Sequence, residues 1–87
     1  MLANKRQNQN RVNKIILALK QARINRGITR YQLSKDTGLS DSSISNIEQL
    51  KQNPTLSTLM EMAVSINFDL PKAIKENYPD LPEDGKN

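Results

Sequence analysis

The stretch from Ile28 to Glu48 constrains this chain more than any other. It reads as two short helices on either side of a tight turn at Gly38, where glycine supplies the positive φ that a sharp reversal between helices often needs. Leu33 is the inward contact of the first of these helices, and Ile44 and Ile47 are those of the second. A helix anchored along one side in this way keeps its opposite side clear of the core. That free side has the shape and polarity to enter the major groove of a duplex.

The flanking pattern supplies the rest of a small helical body. Val12, Ile15, Ile16, Leu19 and Ala22 recur at helical spacing and predict an amphipathic helix that stops near Gly27. Thr29 and Gln32 fit a capping box, so a second helix starts there and runs to about Asp36. Ser40 caps the third, which is expected to end near Leu50, with a turn through Lys51 to Pro54. Thr55 caps a fourth helix with Leu56, Leu59, Met62, Ala63 and Ile66 directed inward. A shorter fifth follows Asp69, with Pro71 tolerated in its first turn and Ala73 and Ile74 as apolar contacts. No strand pattern and no internal repeat occurs. The expected architecture is all-α, five helices around one core, over residues 11–78. Residues 1–10 are polar and without apolar rhythm, which predicts a flexible basic arm. Residues 79–87 are expected to form a flexible acidic tail.

Composition narrows the function classes. The 87 residues contain no cysteine and no histidine, which removes thiolate zinc sites, disulfides and the commonest general base. Glycine is limited to Gly27, Gly38 and Gly85, so no phosphate-cradling loop is present. These absences predict a protein that is not an enzyme, with no metal and no cofactor. No apolar run approaches the ~20 residues of a membrane span and no signal peptide opens the chain, so a cytoplasmic location is expected. Charge is divided unevenly: residues 1–30 carry +8 and no acid, while the remainder carries −4. Such asymmetry suggests a basic surface for a polyanion, or simply a solvated helix face.

The joint spacing of Ala22-Arg23, Gly27-Ile28-Thr29, Leu33-Ser34, Gly38-Leu39-Ser40, Ile44, Ile47-Glu48, Pro54-Thr55-Leu56, Leu59, Met62-Ala63 and Ile66 resembles the lambda-repressor/Cro-like (Xre-type) helix-turn-helix family. The resemblance extends from about Val12 to Ile74. It implies a DNA-binding domain with the helix-turn-helix at helices 2 and 3 and recognition by the third helix. It further implies base contacts from Asp41, Ser42, Ser45 and Asn46, and phosphate contacts from Arg30, Ser43, Lys51 and Asn53. Relatives usually place glutamine where this chain has Arg30. Arg23 and Glu48 match a semi-buried salt bridge between the first and third helices.

By chemistry alone, Asp41 either accepts from cytosine N4 or merely complements the helix dipole, and Asn46 either pairs with adenine or is simply solvated. The third helix contains no Lys or Arg, so affinity has to come from phosphate contacts made elsewhere. Lys5, Arg6 and Arg11 either wrap the duplex from the arm or contribute only diffuse attraction. The expected function is a sequence-specific transcriptional regulator of double-stranded DNA, a repressor on a two-fold operator. It would act as a homodimer through Ala73, Ile74 and Tyr78. The alternative is an antitoxin that holds DNA with this fold and a toxin with its tail. A protein partner is therefore either a toxin or an antirepressor.

Overall fold

In the computed structural model of the chain, residues 5–83 are described. They form α1 (Lys5–Asn25), α2 (Arg30–Thr37), α3 (Asp41–Glu48), α4 (Leu56–Ile66) and α5 (Leu70–Asn77), with no strand among them. None of these helices is long and apolar enough to cross a membrane.

The helices start where side chains can satisfy the amide groups left unpaired in a first turn. The Thr29 hydroxyl accepts from the Gln32 amide while the Gln32 side chain accepts from the Thr29 amide, both close to 3.0 Å. Ser40, Thr55 and Asp69 cap α3, α4 and α5 by accepting from the amides of Ser43, Thr58 and Lys72, without the reciprocal bond. Gly38, at φ 78°, closes α2. Each helix contributes to one core: Ile15, Ile16 and Leu19 from α1, Leu33 from α2, Ile44 and Ile47 from α3, Met62, Ala63 and Ile66 from α4, and Leu70 and Ala73 from α5. At about 25 cal/mol per Å² of apolar surface removed from water, burial of this kind is the main force holding α3 to the body.

Three expectations are corrected. Lys5 to Asn10 is helical and continuous with α1, where an arm was expected. Its polar side chains are held by distant partners, the Tyr78 hydroxyl donating to Asn8 and the Gln9 amide pairing with Asn53. Residues 79–83 fold back on the body: the Arg11 guanidinium donates to Asp80 at 2.7 Å, and Lys75 pairs with Glu83. The outer parts of the expected arm and tail, residues 1–4 and 84–87, lie outside the described residues. Finally, α3 ends at Glu48, because Leu50 adopts φ 63° and reverses the chain, with the Lys51 amide donating to the Asn46 carbonyl at 2.8 Å.

Candidate nucleic-acid interface

The turn between α2 and α3 is tied by side chains as well as by backbone. The Ser34 hydroxyl donates to the Leu39 carbonyl at 2.6 Å, and the Thr37 hydroxyl donates to the Leu33 carbonyl at 2.8 Å while accepting from the Leu39 amide at 3.2 Å. With the turn fixed and Ile44 and Ile47 buried, the opposite side of α3 faces solvent. Asp41 and Ser42 are exposed at its start, and Ser45 and Asn46 are half-buried further along. All four expected base-contact residues therefore lie outside the core. Sequence reasoning missed Gln49, whose amide donates to the Ser45 hydroxyl at 2.6 Å and which is itself exposed. The signal was available: 41, 45 and 49 form one four-residue stripe along a helix.

Glu48 fixes the orientation of α3. Its carboxylate is fully buried and accepts from Arg23 twice, Nε at 2.6 Å and Nη2 at 2.8 Å, and from Arg30 Nε at 3.0 Å. Arg23 spends its remaining Nη1 on the Ile28 carbonyl at 2.7 Å. One carboxylate thus joins α1, α2 and α3, and no buried polar side-chain atom among the described residues lacks a partner.

The four expected phosphate contacts are each arranged differently. Arg30 is engaged through Nε by Glu48, yet its side chain remains 43% exposed. Ser43 is occupied in the cap, its amide donating to Ser40 Oγ and its hydroxyl accepting from the same group, both at 3.0 Å. The Asn53 side chain is shared with Gln9 in a reciprocal amide pair. Lys51 is exposed and makes no ion pair among the described residues.

The expected dimer residues are largely used within the chain. Ala73 is buried in the core, 5% exposed, and Tyr78 lies under the Arg11 guanidinium, 4.9 Å from its ring centre, with its hydroxyl bonded to Asn8. The cause is the packing of α5 on α1. Ile74 alone of the three borders an open apolar groove of about 460 Å³ between α4 and α5. Leu56, expected to face inward, is 66% exposed along this groove with Met60 and Val64, which repeat every four residues. No group of three or more His, Cys, Asp or Glu side chains among the described residues is placed to hold a metal ion.

A family model described as helix-turn-helix matches residues 19–72, more than half of the chain. Comparison with curated proteins and with solved structures returned no match.

Proposed function

The chain belongs to the lambda-repressor/Cro-like (Xre-type) helix-turn-helix family of DNA-binding domains, and from that premise we propose that it is a sequence-specific transcriptional repressor acting as a homodimer on a two-fold operator. The observation that carries this reading is the outward side of α3, held by a buried carboxylate and a tied turn so that Asp41, Ser42, Ser45 and Asn46 project away from the core. Such short polar side chains reach base edges from a helix seated in the major groove: Asn pairs with adenine, Asp accepts from cytosine, and Ser bonds either way. Arg30 and Lys51 hold phosphates to either side of that helix, Arg30 through the nitrogens that Glu48 leaves free.

One domain of this size reads only a few base pairs, so two copies on half-sites about 34 Å apart are needed for useful specificity. The pairing surface is the groove bounded by Leu56, Met60, Val64 and Ile74, because an exposed apolar face of this extent is otherwise a liability in water. The alternative is an antitoxin that holds DNA with this fold and a toxin with its tail, whose residues 79–83 contact the body through Asp80 and Glu83. Selection of bound duplexes from a random pool tests the reading. The expected product is a palindromic motif with half-sites one helical turn apart, whose base preferences shift when Ser42 or Asn46 is replaced by alanine, by about 1–3 kcal/mol at a single position. Recovery of sequences with no common motif would contradict it.

A further inference from the structure

The family match begins at residue 19, whereas α1 begins at Lys5. The amino-terminal turns of α1 lie outside the matched residues, and they are not left loose. Gln9 Nε2 donates to Asn13 at 2.8 Å and to Asn53 at 2.9 Å, and Gln9 Oε1 accepts from Asn53 at 3.0 Å. Every hydrogen-bonding position of that donor group is satisfied, and the bond spans 44 residues. Its far end is the loop that follows α3 directly. Lys5 and Arg6, four and three residues before Gln9, lie on the same side of α1, because neighbours along a helix face recur at those intervals. Two exposed cations thus stand about one helical turn, ~5.4 Å of rise, along α1 from Gln9, whose side chain holds the loop that carries Lys51.

Three other cations of α1 and α2 already have partners, Arg30 through Nε alone. Arg11 is taken by Asp80 and Tyr78, and Arg23 and Arg30 are held by Glu48. Lys5, Arg6 and Lys51 form no ion pair among the described residues. The recognition helix, meanwhile, has no cation of its own and exposes the acid Asp41, which repels phosphate. A duplex approaching α3 has to be attracted by flanking groups.

We propose that the amino-terminal extension of α1 is a second DNA-backbone contact, in which Lys5 and Arg6 join Lys51 in holding phosphates beside the stretch covered by α3, at a spacing set by the Gln9–Asn53 amide pair. This rests on the DNA-binding reading above and adds to it a site outside the matched domain. Arg11, although nearer to Gln9 in sequence, lies on the other side of α1, where it meets Asp80 and the Tyr78 ring.

The experiment measures binding of the full chain to its selected duplex as a function of salt. Each phosphate contact contributes about 0.9 to the slope of log K against log salt. Replacing Lys5 and Arg6 together by alanine is expected to flatten the slope by about 1.8, so that between 50 and 200 mM salt the wild type loses roughly 12-fold more affinity than the variant. The base preferences recovered by selection stay as in the wild type. Arg11→Ala is expected to leave the slope in place, although it removes the same charge per residue. Ethylation of phosphates outside the α3 contact interferes with wild-type binding and no longer interferes with the double variant. An unchanged slope in the double variant, in a wild type that does bind its duplex, overturns the second contact and leaves the DNA-binding reading standing. Equal flattening per residue for Arg11→Ala overturns it too, by showing diffuse attraction. A wild type that prefers no duplex overturns the DNA-binding reading first, and this contact with it.

Discussion

Two ion pairs in this molecule use the same chemistry to opposite effect. At Glu48 a carboxylate with no exposed side-chain surface is enclosed by Arg23 and Arg30. At Asp80 a carboxylate 69% exposed meets Arg11 at 2.7 Å, an equally short contact. Length alone does not separate them. The buried group has given up its hydration and depends wholly on its partners, whereas the exposed one exchanges one hydrated state for another. The first pair fixes the position of α3 relative to α1 and α2. The second draws residues 79–83 against the amino-terminal half of α1 and can open without disturbing the core.

The largest test of this contrast is Arg23→Ala, which leaves Glu48 with a single donor and also deprives the Ile28 carbonyl of its partner. Removing one member of a buried pair costs about 3–5 kcal/mol, a large share of the 5–15 kcal/mol typical of a domain. Thermal melting followed by circular dichroism should show a midpoint lower by more than about 10 °C. Any loss of DNA affinity in the same variant acts through the fold and so accompanies the lowered midpoint. A midpoint within a degree or two of wild type would show that the network is not structural.

Arg30→Ala stands between the extremes. Glu48 keeps both bonds from Arg23, and the lost donor is half exposed, so stability falls by about 1 kcal/mol or less. On the proposed role of Arg30 as a phosphate contact, the slope of log K against log salt is expected to flatten by roughly 1. A large loss of stability with no change in slope would make Arg30 a second structural partner of Glu48 and nothing more.

The smallest effect belongs to Asp80. The hydrogen bond from Arg11 holds its carboxyl below the ordinary carboxylate value, aided by a backbone hydrogen bond and by the arginine's charge, against a small opposing effect of desolvation. A carboxyl whose folded value is depressed contributes stability above its unfolded value and loses it as pH falls through the folded one. Acidification through and below the ordinary carboxylate range should therefore release residues 79–83 while the core stays folded. The ring resonances of Tyr78, which lies under Arg11, report the release, and added salt should promote it. Arg11→Ala should give the same Tyr78 signature at neutral pH. Melting of the whole chain in that acid step would mean that the tail contact supports the core.

Much of the fold was legible because its signals are local. The capping box at Thr29, the stop at Gly38 and the caps at Ser40, Thr55 and Asp69 each need only a few neighbouring residues, and the apolar spacing of Ile15, Ile16 and Leu19 specifies a buried side by itself. What escaped is held by long-range polar contacts. Nothing within residues 5–10 announces a helix, since the partners of Asn8 and Gln9 lie at Tyr78 and Asn53. The early end of α3 depends on Leu50 in a left-handed conformation that is ordinarily left to glycine or asparagine, so its type gave no warning. Ala73 and Ile74 illustrate a further limit. Apolar character says that a residue is to be covered, and only packing says by what: α1 covers Ala73, while Ile74 borders an open groove.

For the candidate site, spacing placed Ile44 and Ile47 inside α3 and left its other side outward, while the choice of Asp41, Ser42, Ser45 and Asn46 came from the family resemblance. The phosphate set was less legible, because Arg30, Ser43 and Asn53 each make a contact within the chain that their position in the sequence does not reveal.

The central claim is that the exposed side of α3 is the surface that meets DNA. Titration of the isotope-labelled chain with its selected duplex, followed through backbone amide resonances, tests it residue by residue. The account predicts that the largest shifts fall on Asp41 to Asn46 and on Lys51, with smaller shifts in the groove between α4 and α5, the proposed pairing surface. Shifts confined to that groove, with α3 unmoved at saturating duplex, would contradict it.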